Sequence, residues 1–274
     1  SMMHVAIPEF SSCGNLWNRF PQVRLEYKAK IDDKNSILFQ AAILRPFGAD
    51  ITPTVNQTDE FGSGELANLP FVQGRVSANV EIGATGATGT IGGSFHFGQE
   101  DFRTAKNDTT ISEDKTNTMA FAGDAKFKYD IVTISGEAYL GENLTMLFSN
   151  AYLMSDSGAR NQYKYEGVKT YGGWGEIFVK PKDSKFSFGG GVGLEFLDEA
   201  DVSSLLSDKR FPSSLPLWKN MTIFGTVIYA PFDKVSFGLE FNNIKTTYKK
   251  IKDGKEVEED ADNNSISLAF KFDF

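Results

Sequence analysis

Apolar and polar residues alternate with period two in segment after segment of this chain. In Gln22–Lys30, Val23, Leu25, Tyr27 and Ala29 oppose Arg24, Glu26, Lys28 and Lys30. In Val72–Ile82, Val72, Val76, Ala78 and Val80 oppose Gln73, Arg75, Ser77 and Asn79. Ile91, Phe95 and Phe97 oppose Ser94 and His96, and Phe121, Ala125 and Phe127 oppose Asp124, Lys126 and Lys128. Val132, Ile134, Ala138 and Leu140 oppose Thr133, Ser135 and Glu137. Phe186, Phe188, Val192, Leu194 and Phe196 oppose Ser187 and Glu195. Val235, Phe237, Leu239 and Phe241 oppose Ser236, Glu240 and Asn242, and the closing Ser265–Phe274 (SISLAFKFDF) alternates most cleanly. Side chains of an extended strand point to opposite faces in turn, so each segment predicts a strand with one apolar and one polar face. Ser36–Arg45, Thr170–Lys180 and Met221–Ala230 alternate less regularly and bring the predicted count to eleven strands.

The connections alternate too. Asp32–Asn35, Gly83–Ala87, Tyr129–Ile131, Pro181–Ser184 and Ala230–Asp233 are short. Gly48–Leu69, Gln99–Thr118, Glu142–Lys169, Asp198–Lys219 and Tyr248–Asn263 are long and polar. Tight turns on one side and long loops on the other are the pattern of outer-membrane barrels. The expected fold is all-β, an antiparallel transmembrane β-barrel, with residues 1–274 in a single barrel domain. With Phe274 set in the periplasm every short turn falls there as well, and the first clear strand then starts outside. Bacterial single-chain barrels use an even number of strands. Residues 2–10 (MMHVAIPEF) are short for a twelfth strand and carry Pro8, so upstream strands are expected to be missing from this chain.

Composition narrows the classes. Only 41% of the 274 residues are hydrophobic, mean hydropathy is −0.28, and no window offers the ~18 or more apolar residues of a membrane helix. A barrel hides its apolar content by alternating it. The formal charge of −8 argues against a nucleic-acid partner. The lone cysteine, Cys13, allows neither an internal disulfide nor a zinc cluster. The N-terminus lacks the basic, apolar and cleavage regions of a signal peptide, so a mature form or a fragment is expected.

No catalytic constellation is visible, and no enzyme, cofactor or metal site is expected. Two histidines, His4 and His96, leave few ways to assemble a triad, and a lipase barrel would need its triad on faces that here are apolar. Gly83–Gly93 (GATGATGTIGG) lacks the lysine and helix of a phosphate loop and reads as a turn between strands. Gly189, Gly190, Gly191 and Gly193 either widen an interior or admit another element close to the backbone. The acidic run Glu256–Asp262 does not have calcium-loop spacing and reads as a solvated loop. Asp201–Asp208 (DVSSLLSD) predicts a short helix capped by Asp201. The apolar LTMLFSNAYLM within Glu142–Lys169 is a candidate for folding into the interior.

The residues expected to line a pore are the charged and amide groups of the polar faces. Arg24, Glu26, Lys28, Gln73, Arg75, Asp124, Lys126 and Lys128 come from the first half, and Glu137, Glu176, Glu195 and Glu240 from the second. Round a barrel they oppose a basic arc to an acidic one, an arrangement that filters solutes by charge.

Short strings carry a resemblance. A chain ending on the aromatic of such a strand resembles the C-terminal strand of outer-membrane barrels, whose last residue is read by the insertion machinery. Asn15–Leu25 (NLWNRFPQVRL) resembles the R-x-PQ-x-R segment that opens a middle strand in porins of the DcaP-like type. Gly136–Leu144 (GEAYLGENL) and Tyr171–Ile177 (YGGWGEI) resemble the GEA-x-x-G-x-NL and GGWAQ strings of the same group. The resemblance implies the C-terminal part of a sixteen-stranded, homotrimeric outer-membrane porin, about four of whose strands precede the RFPQ segment. It implies passive diffusion of small polar or anionic solutes, carboxylates among them, with outer-membrane lipid as the other partner. Glu176 stands where the family string often has glutamine, a departure that weakens the carry-over of anion preference. The alternative of another class is a plugged barrel whose external loops bind a partner.

Overall fold

The structure is a computed structural model, described for residues 10–11, 13–16, 18–46, 63–83, 86–101, 115–147, 167–207 and 217–273. Eleven strands follow one another: β1 (Gln22–Lys30), β2 (Ser36–Leu44), β3 (Phe71–Ile82), β4 (Ala87–Asp101), β5 (Lys115–Tyr129), β6 (Val132–Glu142), β7 (Lys169–Val179), β8 (Phe186–Leu197), β9 (Leu217–Phe232), β10 (Val235–Lys252) and β11 (Lys255–Phe272). They form one sheet in chain order, each strand antiparallel to the next. The sheet is not closed: β1 and β11 are its two edges, and strict alternation of direction makes them run the same way. Two short helices, α1 (Ser63–Leu66) and α2 (Glu199–Ser207), lie in connections. No helix among the described residues is long and apolar enough to cross a membrane.

Pairing register sorts the side chains, because residues directly opposite in an antiparallel pair share a face. One row runs Glu26, Gln40, Arg75, Ser94, Ala122, Tyr139, Gly172, Glu195, Asn220 across nine strands. We call this the inner face, because residues 10–20 and 144–147 pack on it. The outer face leaves large apolar side chains in the open, with Val23 74% and Leu268 82% exposed. Aromatic pairs stack near both ends of that face. Phe186–Tyr229 and Tyr27–Phe39 lie toward the tight turns, and Tyr171–Phe196 toward the long connections. A soluble sheet of this size would bury such a face.

Several expected boundaries move. The stretch Tyr248–Asn263, read as a loop, continues the β10–β11 ladder down to a two-residue turn at Asp253–Gly254, both with positive φ. That is the type I′ geometry favoured by Asp-Gly. Apolar alternation stops at Phe241 and Ile266, yet main-chain pairing does not depend on it. Beyond that point the hairpin is held by Lys245–Asp260 (2.7 Å) and Lys250–Glu259, and by the Thr247 hydroxyl donating to Asp260. The glycine-rich run is mostly strand, with β3 ending at Ile82 and β4 starting at Ala87. Gly89, Gly92 and Gly93 already belong to β4. The α2 helix is capped by Asp198, not Asp201: Asp198 Oδ1 accepts from the backbone N–H of Ala200 and Asp201. Asp201 instead accepts the N–H of Lys169. Of the possible twelfth strand, residues 2–10, all but Phe10 lie outside the described residues, as does Phe274, and Phe10 stands in a turn.

Candidate functional site

The inner face gathers every residue expected to line a pore. Arg24 and Gln73 share a row through Ala42, Asp124 pairs with Glu137, and Lys126 shares a row with Glu176 through Ser135. Glu240 lies opposite Thr226, in register with Gly189 and Lys128. Lys28 sits two residues from Glu26 on the same face. Being on one face does not make these groups alike. Arg75 donates to both Asp124 carboxylate oxygens, the longer contact 2.7 Å, reaching over β4 where Gly92 offers no side chain. Arg24 and Glu26 pair at 3.0 Å and remain about half exposed. Lys28, Lys126 and Lys128 stay exposed. Glu176 accepts from the Ser135 hydroxyl at 2.7 Å. Glu195, 1% exposed, accepts from the Tyr139 hydroxyl at 2.5 Å across Gly172, and Glu240 is wholly buried.

At Glu195 part of the cover is a segment that the alternation pattern does not reveal. The described residues between 10 and 20 (10–11, 13–16 and 18–20) cross the inner face as a strap from β9 toward β3. Phe10 stacks on Trp174 (centroids 5.7 Å apart) and tilts against Phe224 (5.4 Å). The Cys13 thiol donates to the Gly193 carbonyl at 3.3 Å, with Thr222 within hydrogen-bonding reach of the same sulfur. Burial pushes the Cys13 thiol pKa up to about 12. Gly14, at φ +105°, lies so close to the Gly173 and Leu194 carbonyls that a Cβ would collide with them, and the free left-handed conformation is glycine's own. A Cβ on Gly193 would likewise strike the Cys13 carbonyl and the Phe10 ring. Of the two uses open to the β8 glycines, close approach therefore holds at Gly193. At Gly189 and Gly191 the freed space is taken by Phe178 and by Phe224 with Glu176.

Further along the strap the Leu16 N–H donates to Glu137, Asn18 Nδ2 donates to the Met146 carbonyl at 2.6 Å, and Phe20 meets Phe71 edge-on. Phe20 and Phe71 form an apolar cluster with Leu44, Tyr139, Leu144, Met146 and Leu147. The start of the apolar LTML segment thus folds onto the inner face, while residues 148–166 lie outside the described ones. Between the strap and β1–β6 a cavity of about 490 Å³ remains, lined by Arg19, Arg24, Arg75, Gln40, Gln73, Ser94 and Glu137 among others. His96 lies at its wall, 4% exposed, with Nδ1 3.1 Å from the Gln73 amide and its ring edge-on to Phe71.

A second cluster lies at the end of the sheet that bears the long connections. The Lys249 ammonium, its side chain 4% exposed, is 2.7 Å from Glu199, 3.1 Å from Glu256 and 4.8 Å from the Trp218 ring centre. Ser203 donates to Glu256 from α2, and Val202 of α2 packs with Leu197 and Val168. The acidic residue Glu256 thereby ties α2 to the β10–β11 hairpin. Among the described residues no group of three or more His, Cys, Asp or Glu is placed to hold a metal ion. The strap escaped sequence reading because it has no periodicity. Its signal was the missing side chain of Gly193 on the inner face, opposite Trp174. No family model, curated protein or solved structure matches the chain.

Proposed function

We propose that this sheet is most of the wall of a transmembrane β-barrel in the bacterial outer membrane, and that the protein is a porin passing small hydrophilic solutes by passive diffusion without enzymatic chemistry. One observation carries the reading: the sheet is inside out. Charged and amide residues share the face that other parts of the chain cover, and exposed aliphatic and aromatic residues occupy the opposite one. Lipid is the solvent that suits such an outer face. An open sheet edge is not viable in hydrocarbon, so the edges of β1 and β11 are to be joined by further strands. Because those two strands run the same way, an antiparallel closure takes an odd number of them. The sixteen strands of the DcaP-like resemblance leave five.

The solute route runs along the strand β1–β6 side, where the strap leaves its cavity, past Arg24, Arg75, Lys126 and Lys128. This favours anionic solutes, carboxylates in the terms of the resemblance, and a homotrimer is the assembly that goes with it. The strap is also the observation that favours the second reading, a plugged barrel whose outer hairpin and loops bind a partner. Planar-bilayer recording of the full-length protein separates the two. Discrete open-channel steps are expected, and a protein that inserts but never conducts would sink the porin reading.

A further inference from the structure

We propose that the strap formed by residues 10–11, 13–16 and 18–20 is a releasable latch: Phe10 withdraws from the slot between Trp174 and Phe224, the strap swings on its Phe20 end, and the inner face around Glu195 and Thr222 opens. Three independent features of the chain meet here. The strap adds no strand to the sheet. Its own pairing is the Ser11–Asn15 bridge, with Cys13 and Asn15 N–H groups both returning to the Phe10 carbonyl. It is a folded knob resting on the wall, not a part of the wall. Phe10 adopts φ 60°, a left-handed conformation that a bulky residue keeps only where contacts enforce it. Such strain is typical of clamps and switches. The track beneath is cleared of a side chain at Gly193, while Trp174 and Phe224 supply a receptacle for one ring. The opposite end is differently made: Phe20 sits in the apolar cluster and runs straight into β1, which makes it the hinge.

Closed, the strap covers Glu195 and Thr222; open, it exposes them together with Cys13. That the opening admits solute rests on the pore reading, whereas the latch itself does not. Cys13, the chain's one cysteine, reports the difference, because a buried thiol is alkylated only when the strap lifts. The test measures maleimide labelling of Cys13 and single-channel conductance in the full-length protein inserted in lipid vesicles or planar bilayers. Phe10→Ala is expected to label at least tenfold faster than the parent and to spend more time at its larger conductance. Thr222→Cys, oxidised with diamide, is expected to cross-link to Cys13, to abolish labelling and to hold the channel at its smaller conductance until dithiothreitol releases it. Equal labelling rates in Phe10→Ala and the parent would overturn the latch, as would failure of the cross-link to form. A cross-link that leaves conductance unchanged would overturn its gating role. Labelling as expected in a protein that conducts in neither state would overturn the pore reading and leave the latch standing.

Discussion

On the β1–β5 side of the inner face, Arg24, Glu26, Arg75 and Asp124 keep between 26% and 51% of their side chains exposed. On the β8–β10 side, Glu195 and Glu240 keep 1% and 0%. Both sets arise from the same alternation and stand on the same face. One difference is the strap, which lies over Glu195 on one side and borders a cavity on the other. A charge in the open can act on a passing solute, and its ion pair is worth little to stability, of order 0–1 kcal/mol. A charge under the strap is removed from solutes and becomes a packing element whose hydrogen bonds have to be kept.

The contrast can be broken in graded steps. The largest effect is expected from Phe71→Ala, which removes a fully buried ring from under Phe20 at a cost of about 3–5 kcal/mol. The urea midpoint of the folded protein in vesicles measures it, and a loss below about 1 kcal/mol would mean that this cluster does not anchor the strap. Next comes Tyr139→Phe, which takes the hydroxyl from buried Glu195 and should cost about 1.5–3 kcal/mol. The counterpart Arg75→Gln should change stability by about 1 kcal/mol or less and instead shift the reversal potential in a salt gradient toward cations. If the two variants cost the same, the division between packed and open charges is wrong.

A matched glycine pair is finer. Gly193→Ala drives a methyl into the carbonyl of Cys13, which cannot bend aside, and should cost about 1–3 kcal/mol and speed alkylation of Cys13. Gly92→Ala meets only the tip of the Arg75 side chain, which can swing away. There the change should stay within about 0.5 kcal/mol, with Cys13 still protected. The smallest effect belongs to the turn after β1. Asp32 accepts from the Asn35 side-chain amide and from the Lys34 and Asn35 N–H groups, which hold its carboxyl below the ordinary value. A carboxyl whose folded pKa is lowered stabilises above its unfolded value, about 4, and loses that contribution as pH falls through the lowered one. Hydrogen-exchange protection at Lys34 and Asn35 should therefore decline below about pH 4 while β8–β9 stays protected. Uniform protection through that range would remove the turn from the account.

Period two is a statement about direction, and direction was legible. It assigns Arg24, Arg75, Asp124, Glu195 and Glu240 to one face before any contact is known, since a strand cannot place neighbours on the same side. Depth was not legible, because what covers a face comes from elsewhere in the chain. The local sign beside Glu195, Gly193 on the same face, announces a close approach but not that Cys13 and Phe10 make it. Strand ends were misjudged for the related reason that hydrogen-bonded ladders outlast apolar alternation. Asn243–Lys252 pairs with Lys255–Asn264 through polar side chains, and Asp253–Gly254 was the readable sign that a tight hairpin, not a loop, lies there.

That β1 and β11 run the same way also bears on how copies of this sheet meet. Were the β11 edge of one copy to seek the β1 edge of another inserted with the same orientation, the two strands would be parallel. That ladder type occurs between no neighbouring strands of the sheet, and it is slightly weaker per residue than the antiparallel one. Like edges could pair antiparallel only if one copy stood upside down, which a common direction of insertion forbids. On the proposed membrane reading, strand direction would discourage edge-to-edge polymerisation between copies whose β1 and β11 edges were left open.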